Sequence, residues 1–312
     1  MPHRPFVVVG ESLVDIVVPS SGESVHAPGG SPMNVAVGLS RLDVPTMLVT
    51  EVGDDEHGKQ VVEHLRASGV TLSESSVRPG QRTSTATAHL DHANAATYAF
   101  DLTWDLAAQT LPGDVLGLHV GSLGTTIEPG RRSVVDLVRQ ASEDEVFVSF
   151  DLNVRPAFLG DVEEAWRDVL EIAGGATLVK MSDEDLEALQ PGRTVEEVAR
   201  GLLASSSTEL VIVTFGPRGA TALTDTVRVH ADAPVVEVTD TVGAGDSFMA
   251  AVLAVLVDWD LTTDGPGALS ALDEDRVSLL LSAAATAAAA TCARRGANPP
   301  TRRELPPTWP IG

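Results

Sequence analysis

One cysteine, Cys292, occurs in 312 residues, which excludes an internal disulfide framework and a cysteine-rich zinc site. It sits in an alanine-rich stretch, where a small buried side chain is the expected role. Positive charge is scarce as well: 21 Lys and Arg face 44 Asp and Glu, a formal net charge of −23. Such a surface disfavours nucleic acid and anionic lipid as partners. A phosphate ligand would have to be held by local geometry, or arrive with a cation, against that field. Strongly apolar runs are missing too. Phe6 to Val9 is cut short by Gly10 and Glu11 and does not make a secretory signal. The uncharged run Val277 to Ala293 is mostly Ala, Ser and Thr, and reads as a buried helix rather than a membrane span. A cytoplasmic protein is the expectation. The eight histidines show no paired metal spacing; His119 reads as a strand-end residue, His89 and His92 as surface.

Short apolar runs ending in small or polar residues recur along the chain. They are "FVVVGE", "MLVTEVG", "GLHVGS", "VFVSFD", "TLVKMS" and "LVIVTFG", each with the pattern of a buried parallel strand. Helical patterns alternate with them. "SPMNVAVGLSRL" begins with Ser31 as an N-cap and Pro32 at the first helical position. "GKQVVEHLRASGV" places Val61, Val62 and Leu65 on one stripe and stops near Gly69. "TVEEVARGLL" opens with Thr194 and Glu197 in capping-box spacing. This alternation predicts a three-layer α/β domain with a mostly parallel sheet. Two segments break it: "GESLVDIVVPS", and "TSTATAHLDHANAATYAFD" with a turn at Asp91–Asn94. They predict a small β flap over one end of the sheet, from about residues 11–24 and 81–102 of a single domain, 1–312.

Two glycine motifs mislead. "GDDEHGKQ" (Gly53–Gln60) imitates a P-loop, but Gln60 stands where a magnesium-binding hydroxyl is needed, and three acids would line the phosphate cradle. It reads as a strand-to-helix turn. "VGAGDS" has Phe248 where a dinucleotide fingerprint needs its third glycine, and it comes late in the chain. What remains at Gly243, Ala244 and Gly245 is a helix N-terminus whose bare N–H groups and dipole attract an anion. Asp246 follows one step into the helix. A carboxylate there fits phosphoryl transfer: it takes a proton from a substrate hydroxyl, whose oxygen attacks a phosphoryl group resting on the N–H groups. The alternative is an ordinary first-turn acid that complements the dipole.

At these residues the chain resembles the ribokinase-like, phosphofructokinase-B-type carbohydrate kinases, and among them the bacterial fructokinases. "DTVGAGDSF" is similar to that family's C-terminal signature, and "GGSPMNVAVGLSRLDVPTMLVTEVGDDEHG" to its N-terminal one. "FDLNVRP", "VKMSDEDL", "VTFGPRGA" and "TCARRGA" fall in family order, so the resemblance runs from about Val7 to Ala297. It implies a Rossmann-like three-layer α/β/α ribokinase-like fold with a small β-sheet lid. By motif match Asp246 is the catalytic base and Gly243–Gly245 the anion hole. Asp15, Gly30 and Asn34 meet sugar hydroxyls beneath the lid, and Asn153 and Arg155 follow the strand that ends at Asp151, where α/β ligands bind. A planar guanidinium there suits a phosphate or an acidic substituent, or serves a structural ion pair. Lys180, Ser182, Asp185, Thr214, Gly216 and Gly219 fall on the nucleotide side, with an alanine-rich wall at Ala283–Ala293. Ser182 and Asp185 are shorter than the family's Asn-x-x-Glu, which favours magnesium contact through water. The resemblance also implies a monovalent cation such as K+ at backbone carbonyls near Asp240, Val242 and Gly296.

Together these point to ATP- and Mg2+-dependent phosphorylation of a primary hydroxyl on a small sugar, fructose first. Ribose, 2-keto-3-deoxygluconate or another ketose or sugar acid stand as alternatives, and a non-catalytic sugar sensor as a different class. Tyr98 and Phe100 of the flap are expected to shape sugar choice, and exposed flap strands could pair in a homodimer.

Overall fold

The computed structural model describes residues 4–91 and 96–310. β1 (Phe6–Val9) opens the chain, followed by β2 (Leu13–Val18) and β3 (Val25–Gly29). α1 (Ser31–Arg41) leads to β4 (Thr46–Val49), the short β5 (Val52–Gly53) and α2 (Glu56–Ala67). Then come β6 (Thr71–Leu72), β7 (Val77–Arg78), β8 (Thr85–Leu90) and β9 (Ala96–Asp101). The middle of the chain alternates: β10 (Gly117–Gly121), α3 (Gly130–Glu143), β11 (Val148–Asp151), α4 (Val162–Ala173), β12 (Leu178–Ser182). α5 (Asp183–Leu189) and α6 (Val195–Ser205) precede β13 (Leu210–Thr214), β14 (Ala220–Leu223) and β15 (Arg228–Ala231). Two long helices close the fold, α7 (Ala244–Asp258) and α8 (Glu274–Cys292).

The main sheet has nine strands in the order β15-β14-β13-β12-β11-β10-β1-β4-β6. Pairing is parallel from β6 to β13, and only β14 and β15 run antiparallel at one edge. Side chains alternate across it as strand geometry demands. Phe6 and Val8 face one apolar core with α1, α7 and α8, whereas Val7 and Val9 face a second core with α3, α4 and α6. Helix α7 is apolar all round and buried from Asp246 to Leu256, as befits a helix inside one layer.

Strand order reverses at β1, because β4 lies on one side and β10 on the other. Ligands of open α/β sheets bind outside the carboxyl ends of the strands at such a point. The chain leaves β1 there to form a separate four-stranded sheet, β3-β2-β8-β9. This is the lid. β3 belongs to it although the alternation in residues 11–24 stops short, since "VHAPG" carries no strand-like pattern of its own. The turn expected at Asp91–Asn94, with His92, falls largely outside the described residues.

The decoy at Gly53–Gln60 is a capped helix start. Asp55 is the N-cap of α2, accepting from the Gly58 amide at 2.9 Å, and it also ties down Thr83. Cys292 is half-buried rather than fully buried, because it ends α8 beside the Asp240 loop. Among the described residues no helix is long and apolar enough to cross a membrane.

Helices α1 and α7 approach closely at Gly38, where an added Cβ would lie 2.6 Å from that of Ala250. Replacing Gly38 by Val should force the two helices apart. Overpacking of this kind costs about 1–3 kcal/mol, so thermal unfolding should show a Tm several degrees lower, and turnover should drop with it.

Candidate active site

The amino end of α7 is built by its own loop. Gly243 is the N-cap at φ 74°, and a Cβ there would lie 2.7 Å from that of Ala297, so only glycine fits. Asp240 secures the loop by accepting from the Val242 amide at 3.1 Å and the Gly296 amide at 2.9 Å. Those bonds hold its carboxyl below the usual carboxylate range. The three residues expected around a monovalent cation are thus brought together.

The three expected anion donors are not equivalent. The Ala244 amide donates to the Thr241 carbonyl at 3.2 Å and is already used. The amides of Gly243 and Gly245 have no acceptor among the described residues, and neither does that of Asp246. The amides left without an acceptor at the start of α7 are therefore those of Gly243, Gly245 and Asp246, while that of Ala244 closes the turn.

Asp246 is 8% exposed, and both carboxylate oxygens are held from α1. Oδ1 accepts from the Ser31 hydroxyl at 2.7 Å and Oδ2 from the Asn34 side-chain amide at 2.8 Å. The expected N-cap role of Ser31 does not occur. Gly30 is the N-cap, which frees the Ser31 hydroxyl for Asp246. Asn34 gives one of its two side-chain N–H donors to Asp246, which leaves its second N–H and its carbonyl oxygen for a ligand. Gly30 itself sits at φ 111°, with a Cβ position 2.7 Å from the Glu11 carbonyl oxygen.

Facing Asp246 is the lid. The Asp15 carboxyl on β2 is raised above its ordinary value by burial; Arg155 opposes that shift, and the charge of Asp246 adds to it. The three groups therefore share one space. Arg155 is exposed and makes no ion pair among the described residues. Asn153 holds a left-handed φ of 40° at the turn before it. A cavity of about 200 Å³ opens beside Arg155, lined in part by Ser122, Phe150 and Phe158. Phe100 stacks near Tyr98 at 6.2 Å and meets Phe158 edge-on at 5.1 Å, so the lid touches the body here. Tyr98 is 64% exposed and stands farther out.

On the other flank, Lys180 pairs with Asp151 at 2.7 Å, both buried. Its Nζ lies 3.8 Å from where a Cβ of Gly245 would be, placing a cation at the mouth of α7. Burial pushes the Asp151 carboxyl up to about 6 although Lys180 pulls the other way, and its Oδ1 has no hydrogen-bond partner. His119 below is pushed down to about 3 by burial and then by Lys180, so it is neutral. Its Nδ1 lies 2.9 Å from the Ser149 hydroxyl.

Ser182 and Asp185 form a capping box on α5. Asp185 Oδ2 accepts from the Ser182 amide at 2.8 Å and Oδ1 from the Val154 amide at 2.7 Å. Thr214 and Gly216 end β13 at an accessible loop. Gly219 is different: at φ 91° its Cβ would collide with the Ala231 carbonyl, so its smallness serves strand packing rather than ligand approach.

The pfkB family carbohydrate kinase model matches residues 5–303. The chain belongs to the pfkB family of carbohydrate kinases. It is 32% identical over 317 residues to a protein of Arabidopsis thaliana named probable fructokinase-4, covering 96% of this chain and 94% of that one. It is also 32% identical over 264 residues to a fructokinase of Vibrio alginolyticus, covering 81% and 85%. Among solved structures it is similar to a fructokinase of Xylella fastidiosa with bound ATP, at TM-score 0.80 and 24% identity over 97% and 95% of the two chains. That likeness shows the fold. A Vibrio cholerae fructokinase double mutant with fructose, ADP and potassium bound aligns at TM-score 0.76 and 27% identity, covering 94% of each chain.

Two groups of this kinase escaped the sequence reading. Ser31 was hidden by a local rule, because serine before proline is a ready N-cap. Glu11 follows β1 at the switch point and is 6% exposed. Burial pushes its carboxyl up to about 7 from 4.5, while the amides of Glu11 and Gly124, the Ser122 hydroxyl and Arg155 work the other way. Between those two pH values the folded kinase keeps a proton that the unfolded chain releases, so the group costs stability as pH rises. The full difference is about 3 kcal/mol. Glu11→Gln should therefore raise Tm at pH 8 relative to the parent and leave it nearly unchanged near pH 4. Melting curves across that range check it.

Proposed function

We propose that this kinase transfers the γ-phosphoryl group of ATP to a primary hydroxyl of fructose, with Asp246 as the base. One observation supports this above the rest: the Asp246 carboxylate is fixed by Ser31 and Asn34 beside the unpaired amides of Gly245 and Asp246. Each held oxygen keeps a further lone pair, so a sugar hydroxyl can donate to it. The hydroxyl oxygen then attacks phosphorus as its proton passes to Asp246. Charge building on the phosphoryl oxygens meets the amides at the dipole end of α7 and the Lys180 ammonium. The pocket is assembled before the substrate arrives, so little reorganisation accompanies the step.

The sugar lies between the lid and α7 in this reading, on Asp15, the Asn34 carbonyl oxygen and Asn153, with Phe100 and Phe158 closing the mouth. ATP lies along the accessible ends of β13 and α8, by Thr214 and Gly216. Magnesium fits only loosely. Asp185 already accepts one amide on each oxygen, which favours contact through water, and the unpartnered Asp151 Oδ1 is the freest acceptor for an outer-shell contact. Magnesium arriving with ATP would neutralise phosphate charge and retain waters. K+ would fit backbone carbonyls of the Asp240–Gly243 and Gly296 loops, which supports the side of the cleft where the α7 amides lie. A homodimer through the lid would use its outer strands β3 and β9. The fructokinase names among the relatives support fructose. The unpaired Arg155 favours a sugar acid as the second reading.

Asp246→Asn should cut kcat by about 10²–10⁴-fold, the range for a positioned base, and sugar binding by calorimetry should persist. ADP release measured over fructose, ribose and 2-keto-3-deoxygluconate tests the substrate at the same time. Turnover of Asp246→Asn within a few fold of the parent would refute the base. A separate outcome, loss of 2-keto-3-deoxygluconate turnover but not of fructose turnover in Arg155→Gln, would move the assignment to the acid.

A further inference from the structure

Away from the reacting groups, two histidines bridge the lid and the body. His26 lies on β3, the outer lid strand, opposite Ile16 of β2. His57 lies in the first turn of α2, on the body. His26 Nδ1 stands 3.2 Å from His57 Nε2, with ring centroids 5.3 Å apart and planes inclined at 45°. Ser24 Oγ lies 2.9 Å from His26 Nε2. A proton on Nε2, donated to that hydroxyl, leaves the Nδ1 lone pair aimed at His57. Such a partner on the far nitrogen is how metal-binding histidines are usually set.

The spacing fits a metal ion. Two imidazole nitrogens each about 2.0–2.1 Å from a tetrahedral zinc ion lie about 3.3 Å apart. Extending to the ring centres gives a centroid separation of about 5.2 Å from the same geometry. Both values lie close to those of the pair, whose two nitrogens share a hydrogen bond here. We propose that His26 and His57 form a two-imidazole site for a borderline divalent transition ion, zinc(II) being the representative, which fastens the lid to the body. Among the described residues no third His, Cys, Asp or Glu joins them as a ligand group, so water completes the shell. His26 is exposed and His57 half-buried, which leaves the ion a path in from the His26 side. Asp55 is close enough for His57 to influence it and is itself held by Gly58 and Thr83, so it adds negative field beside the pair. Magnesium, which prefers oxygen, does not suit this pair.

The clamp acts on the strand that runs directly into Gly30 and Ser31. Holding β3 against α2 slows lid opening, and with it the exchange of sugar and product.

The test uses the full chain, free of nucleotide, titrated with zinc against a chromogenic chelator. The parent should take up one more zinc per chain than His26→Gln or His57→Gln. Ser24→Ala should bind that zinc about tenfold more weakly. With magnesium and excess chelator present, both histidine variants should turn over at the parent rate, because neither ring touches the reacting groups. Hydrogen exchange across Val25–Gly29 should slow on adding zinc to the parent alone. Equal zinc uptake by the parent and both variants overturns the site. Specific uptake with unchanged exchange in β3 overturns the clamp.

Discussion

A carboxylate buried between two helices organises this molecule. Asp246 belongs to α7, but both of its fixed hydrogen bonds come from α1, through Ser31 and Asn34. Burying a charge without such partners costs several kcal/mol, so Asp246 and its two donors stand or fall together. The close approach of α1 and α7 at Gly38 and Ala250 supplies the distance they need. Each helix is apolar on the faces it buries, and tight packing makes their relative position rigid. Core packing and the geometry around Asp246 are here the same constraint.

The electrostatics follow from that centre. A chain of net charge −23 must receive a phosphate, and it does so with few cations. Lys180 is placed at the end of α7 by its buried bond to Asp151. The unpaired amides at the start of α7 lie beside it as backbone dipoles. Asp15, Arg155 and Glu11 form a second charged set toward the lid, where burial raises both carboxyls and Arg155 restrains them. The two sets meet across the space where a sugar hydroxyl and a phosphoryl group would face each other.

The lid spans that space and is tied at both edges. On one side β9 meets the body through Phe100 and Phe158, and on the other β3 meets it through His26 and His57. Each of these two contacts joins one exposed and one half-buried side chain, so opening them costs less than opening the buried cores. The body beneath it, with two apolar cores on a nine-stranded sheet, is the rigid partner.

The main strands, the capping box at Thr194 and the glycine-led start of α7 could be read in order along the chain, because each depends on residues within a few positions. The lid was partly legible through its alternation, but β3 was not, since its own residues carry no pattern and it is a strand only by pairing with β2. Ser31 as an orienting group for Asp246, the Asn34 side-chain bond to Asp246, the Val154 bond to Asp185 and the Lys180–Asp151 pair all join residues remote in sequence. The histidine pair shows the same limit, because its members are 31 positions apart and show no motif spacing. Local chemistry fixed which groups could act; only the packing of α1 on α7 and of the lid on α2 decided which of them meet, because hydrogen-bond partners are chosen by distance in space and not along the chain.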